Sequence, residues 1–191
     1  MRPLQDFLEA MDHEFADLPL RLEVLALKVD GEGIKKHCQL HALKSVDYIY
    51  PRGDGFPLVE FSDIARQQHR ILNDIAGIKA SNLAKALRTD LIKARHKAVN
   101  QELVAKYKDT LTIISRLNQH CADVPEDLLN GLHHYYVVVA PLHEEIAAPG
   151  RRIEIIRFLD NLESKIINSM PEQLFAGVSV VLIHAFAEQH L

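Results

Sequence analysis

No apolar run in this chain of 191 residues approaches the roughly 20 that cross a bilayer. The longest stretch, Val178 to Phe186, is too short and is interrupted by His184, which excludes a membrane span. Cysteine is scarce. Cys38 and Cys121 cannot make a disulfide framework and read as two reduced thiols. Met1 to Asp6 has no apolar signal core, so the expectation is a cytoplasmic protein. Phosphate-cradling glycine loops are missing too, since Gly31-Glu32-Gly33 and Gly53-Asp54-Gly55 are too short and read as turns. There is no Gly-x-Ser-x-Gly and no motif around either cysteine, so nucleophilic catalysis finds little support. Eleven histidines contain no HExxH-type spacing. His37 and His41 share a face for zinc only if their segment is helical, and His133-His134 and His143-Glu144-Glu145 read as surface or capping groups. With no repeat, low-complexity stretch or linker, the expectation is one domain over 1–191 with a helical elaboration at about 64–120.

What is present begins with charge. An apolar fraction of 48% and a charged fraction of 25% are those of a soluble globular protein. The net charge of −4 is unevenly spread. From Arg66 to Lys108 there are ten basic residues and only Asp74, Asp90 and Glu102 as acids, giving +7 there and −11 elsewhere. Such asymmetry marks either a surface facing a polyanion or a set of solvated helix faces. Lys85, Arg88, Lys93, Arg95 and Lys97 are the candidates for following a phosphate backbone, with Tyr107 a candidate stacking partner.

Periodicity predicts a helix over Leu4 to Leu18, with Leu4, Phe7, Leu8, Met11, Phe15 and Leu18 at spacings of three and four. Arg21 to Val29 fits strand or helix, Asp30 to Gly33 is a turn, and Lys35 to Leu43 is a weakly alternating strand. Helices follow over Ile64 to Ala76 (capped by Gly77), Asn82 to Val99 (N-capped by Ser81) and Gln101 to His120. In the second of these Leu83, Leu87 and Leu91 form the inward stripe. Tyr135 to Ala140 is the clearest strand, and its β-branched run predicts burial on both faces. Arg152 to Ile167 is a helix with Ile155, Ile156, Leu159, Leu162 and Ile166 inward, and Val178 to Ala185 is a last strand or helix. The order predicts an α/β or α+β protein, a mixed central sheet flanked by helices.

Two apolar stretches carry one acid each: Ser45 to Tyr50 contains Asp47, and Leu58 to Ser62 contains Glu60. The connection Pro51 to Pro57 is turn chemistry. Alternation puts Glu60 and Ser62 on one face, and Asp47 joins them if the register allows. Paired carboxylates there are hard oxygen ligands suited to Mg²⁺ or Mn²⁺. Glu9, Glu14 or Asp17 would add a third.

The order of elements over residues 4 to 141, with Asp47 and Glu60-Phe61-Ser62, resembles the PD-(D/E)xK nuclease superfamily. The resemblance implies a restriction-endonuclease-like fold and a Mg²⁺- or Mn²⁺-dependent nuclease of bacterial or phage defence. It implies Asp47 and Glu60 as metal ligands, assisted by Glu14 or Glu9, and Ser62 at the position of a catalytic lysine. Serine is neutral and short, so Lys44, Lys79 or Lys85 is expected to reach the site instead, with Lys79 the choice. Otherwise the scaffold is a degenerate, non-catalytic module that binds a protein partner. Gln67 and Gln68 sit where some relatives carry a site-facing glutamine, or are exposed helix residues.

Overall fold

The computed structural model describes residues 1–15, 18–141 and 149–190. Its strands are β1 (Arg2–Pro3), β2 (Leu8–Ala10), β3 (Leu25–Lys28), β4 (Tyr48–Ile49), β5 (Leu58–Ser62), β6 (Cys121–Ala122), β7 (His134–Val139) and β8 (Gly177–Leu182). The helices are α1 (Ile34–His37), α2 (Ile64–Ala80), α3 (Lys85–Ile114), α4 (Leu117–His120), α5 (Glu126–Asn130), α6 (Pro149–Ile167) and α7 (Ile183–His190). Six strands form one mixed sheet in the order β2-β3-β4-β5-β7-β8, antiparallel as far as β5 and parallel beyond it. β1 and β6 pair separately. No helix among the described residues is long and apolar enough to cross a membrane.

Strand alternation divides the core in two. Leu27, Ile49, Leu58, Tyr135 and Val137 face Ile71, Ile75, Val99, Leu103, Tyr107 and Leu162 of α2, α3 and α6. Ala26, Tyr48, Val59 and Val138 face Met11, Phe15, Ile183 and Phe186 on the other side. β7 lies between two parallel neighbours, with Val137 and Val138 fully buried on opposite faces, which is what its β-branched run predicts.

The helix expected over Leu4 to Leu18 does not form. A single 3₁₀ turn spans Leu4–Phe7 and then β2 pairs with β3, Leu8 opposite Leu27. The chain crosses the sheet edge here, so Leu4 and Phe7 enter one core layer while Met11 and Phe15 enter the other. Each burial is worth about 1.5–3 kcal/mol. Helix propensities differ by less than about 1 kcal/mol per residue, so burial decides. The strand expected over Lys35 to Leu43 is instead α1 and turns, because the backbone folds back on itself (Cys38 N to Ile34 O, Leu40 N to Lys35 O).

Gly77 does not end α2, which continues to Ala80, and Ser81 caps its C-terminus rather than opening the next helix. The Ser81 hydroxyl donates to Ile78 O. The helices expected over 82–99 and 101–120 run together through Asn100 as α3 of 30 residues, which ends at Ile114, and the end of the second stands apart as α4. The first half of α3 extends past the sheet, which removes the core partner that the Leu83, Leu87 and Leu91 stripe predicts. These are 40%, 49% and 37% exposed. Ile156 is also exposed.

The turn after β3 depends on glycine. Gly31 has φ +58°, and a Cβ on Gly33 would stand 2.3 Å from Lys28 O and 2.9 Å from Asp30 O. Both contacts are backbone and cannot yield cheaply. Gly33→Ala is therefore expected to destabilise the protein by about 2–4 kcal/mol in urea unfolding, whereas Gly53→Ala, with open space around it, should cost under about 1 kcal/mol.

Candidate functional site

A cleft of about 350 Å³ opens where β3 and β5 end and β4 begins. It is lined by Asp12, Glu14, Phe15, Lys28, Asp30, Asp47, Glu60, Phe61, Ser62, Asp63 and Lys106. A larger groove of about 610 Å³ between α6 and β8 is mostly apolar, lined by Ile156, Leu159, Val180 and Leu182 among others, and none of its described lining residues is a buried acid. The smaller cleft is the chemically equipped one.

The register assembles its acids. Tyr48 pairs with Val59 and Ile49 with Leu58, so one further step brings Asp47 opposite Glu60. Alternation turns Glu60 toward the α2–α3 layer, as it does Leu58 two residues earlier. Glu60 is 1% exposed. Its Oε1 receives the Lys106 ammonium at 2.5 Å, while Oε2 is buried with no hydrogen-bond partner among the described residues. The strand of the Ser45 to Tyr50 stretch is only Tyr48–Ile49, so Asp47 stands just before β4, and its Oδ2 accepts from Phe61 N of β5 at 2.8 Å. Ser62 lines the same cleft. Glu14 also lines it and is exposed.

Burial, and then the charge of Asp47, push the Glu60 carboxyl up to about 8 against the pull of Lys106. Burial likewise raises Asp47, opposed by the Phe61 amide and by Lys106. Burial works to lower Lys106, but the carboxylates of Glu60, Asp47 and Glu102 outweigh it and the ammonium is held above its ordinary range. Lys106 is thus a cation at neutral pH. Its contact with Glu60 is a charge-assisted hydrogen bond while Glu60 keeps its proton, and a full ion pair above about pH 8.

Lys106 is the residue that sequence reasoning missed. It stands on α3 in the series Val99, Leu103, Lys106, Thr110 and Ile113, whose spacings of four and three mark a buried helix face. A lysine in that series was the available signal. Lys79, the expected substitute for the missing lysine, lies one residue from the far end of α2 and does not line the cleft. A helix rises 1.5 Å per residue, so the continuation past Gly77 carries it away from the sheet. Lys44 and Lys85 do not line the cleft either. Glu9 faces a neighbouring pocket, and Asp17 lies outside the described residues.

Lys85, Lys93 and Lys97 are exposed on the protruding half of α3. Arg88 and Arg95 are spent within the hairpin, donating to Lys79 O at 3.2 Å and pairing with Asp74 at 3.6 Å. Tyr107 is fully buried, its hydroxyl on Leu174 O and His133 O, so it cannot stack on a base. Neither glutamine is an exposed helix residue: Gln68 is buried, and half-buried Gln67 donates to Glu102. The helix carrying His37 stops there, short of His41, and His37 bonds to His120 O. His143, Glu144 and Glu145 lie outside the described residues.

Among the described residues no group of three or more His, Cys, Asp or Glu is placed to hold a metal ion. Mg²⁺ is commonly held by one or two carboxylates, the remaining positions going to water and substrate phosphate. Asp47 with the unpartnered Glu60 Oε2 fits that smaller donor set. Comparison with protein-family models, with curated proteins and with solved structures finds no match in any of the three.

Glu60 makes stability depend on pH with a defined sign. Its folded carboxyl lies above the ordinary 4.5, so its stabilising contribution is full below about pH 4.5 and lost as pH rises through about 8. An amide in its place does not titrate. Glu60→Gln should match the parent near pH 4.5 and become the more stable protein by roughly 2–4 kcal/mol at pH 8.5, measured by urea unfolding across that range. Equal differences at both ends would show that Glu60 ionises normally.

Proposed function

We propose that this chain is a divalent-metal-dependent nuclease of the PD-(D/E)xK type, with Asp47 and Glu60 as its metal-holding pair. Lys106 takes the part of the lysine that Ser62 replaces. The observation that carries the reading is one contact: Lys106 Nζ meets Glu60 Oε1 inside the cleft that also holds Asp47 and Ser62. A lysine reaching the acids from a helix restores the charge that the strand lacks.

Bound by these carboxylates, Mg²⁺ or Mn²⁺ would supply Lewis acidity, lowering the pKa of water and shielding phosphate charge. Glu60 must give up its proton to act as a ligand, and the neighbouring Lys106 favours that release. Lys106 offers a fixed positive charge and donor N–H groups toward the reacting phosphate. Lys85, Lys93 and Lys97 present charge to a longer nucleic acid, and a place in bacterial or phage defence follows from the resemblance alone.

A second reading, a non-catalytic module that binds a protein, draws on the exposed stripe of Leu83, Leu87 and Leu91. Incubation with plasmid and single-stranded DNA in Mn²⁺ or Mg²⁺ separates the two. Asp47→Ala, Glu60→Ala and Lys106→Met are each expected to slow cleavage by about 10²–10⁴-fold. Cleavage that survives all three, or none by the parent with either metal, would sink the nuclease reading in favour of the binding module.

A further inference from the structure

We infer that Lys28 grips the phosphodiester of the nucleic-acid substrate in this cleft, an inference that rests on the nuclease reading. Among the described residues the cleft is lined by six carboxylate residues (Asp12, Glu14, Asp30, Asp47, Glu60 and Asp63) and two lysines. A phosphodiester entering such a field is repelled unless a cation receives it. Lys106 spends one of its three N–H donors on Glu60 and offers the rest to the reacting phosphate, which leaves Lys28 to hold the substrate backbone. Lys28 is bound to none of the six.

Lys28 ends β3 and pairs in register with Tyr48, on the opposite face of the sheet from Lys106. Its Nζ lies 4.4 Å above the Tyr48 ring and donates to Tyr48 Oη at 3.0 Å. Tyr48 is itself fully buried, its hydroxyl accepting from Asp12 N and donating to Glu9. Glu9 Oε1 is 3.7 Å from Nζ, within Coulombic attraction but beyond a hydrogen bond. An ammonium has three N–H donors, so two remain for a ligand. The side chain is 28% exposed, enough to be reached. The charge is therefore held in place before substrate arrives, which spares the entropy that a free surface lysine would lose.

The test uses a fluorescein-labelled single-stranded DNA oligonucleotide. Anisotropy in Ca²⁺ reads binding over a salt series, and cleavage in Mn²⁺ reads KM and kcat. Lys28→Met is expected to raise KM about 5–10-fold with little change in kcat, and to lower the slope of log affinity against log salt by about 0.7. Lys28→Arg should restore most of both and also serves where the Met variant fails to fold, while the salt slope is the readout that a merely structural loss at Tyr48 would not move. Lys106→Met should instead lower kcat. Parent-like KM and salt slope in Lys28→Met, or no rescue by Arg, overturn the role of Lys28 alone while cleavage by the parent continues. A parent that neither binds nor cleaves overturns the nuclease reading and this inference together.

Discussion

A carboxyl buried in a sheet must either keep its proton or be answered by a cation, and Glu60 imposes that demand here. It sits on β5 among Leu58, Tyr135 and Val137, its apolar neighbours on that face. Leaving an ion unpaired in such surroundings costs several kcal/mol. Lys106 answers from α3, and the path of α3 over the sheet is constrained accordingly. Its buried face must present Leu103 and Tyr107 to the core and Lys106 to the acid within one turn of each other. Even so, a buried pair of this kind is a poor way to gain stability, because apolar residues of similar volume usually do as well or better. A carboxyl held up to about 8, with one oxygen left without a partner, stabilises nothing by itself. Its presence is better explained by a task than by the fold.

The sheet places that task at a seam. The meander of β3, β4 and β5 is antiparallel, whereas β5, β7 and β8 are parallel, so β5 borders both regimes. Parallel pairing requires a long crossover, and the crossover after β5 includes α2 and α3. The strand carrying Glu60 is therefore the one whose departing chain must return over its own face. Asp63 starts that departure by capping α2, accepting from Arg66 N. Acid strand, cap and answering lysine thus belong to one continuous segment of chain. Lys28 comes from the other half of the meander and the other face, so the cleft is lined by two lysines of independent origin.

Much of this was legible in the residues. The two acid-bearing stretches, the turn between them and the doubly buried β7 follow from alternation and β-branched content, which are local properties. What escaped depended on where the chain was in space. The spacing of Leu4, Phe7, Met11 and Phe15 is helical in form, yet it serves two sheet faces as the chain rounds an edge. Lys106 looked like one more member of a basic run, because its importance lies in a contact 46 residues away in sequence. Leu87 and Leu91 of α3, with Leu83 just ahead of its first turn, have the spacing of an amphipathic stripe but no core layer covers them. Periodicity identifies a face and is silent about what covers it.

The protruding hairpin also bears on the choice between the two functional readings. Its arginines are the residues best suited to bidentate phosphate contacts, but Arg88 donates to the backbone of Lys79 and Ser81, and exposed Arg95 pairs with Asp74 across the two helices. The exposed lysines that remain are point charges without base selectivity, beside three leucines that gain nothing from a phosphate backbone. A polyanion held here would be retained by charge and strongly salt-dependent, with its register set elsewhere. Among the described residues, charge, geometry and a buried acid converge in the cleft. On the nuclease reading, selectivity for a reacting group would arise in the cleft that Lys106, Lys28, Glu60 and Asp47 line together.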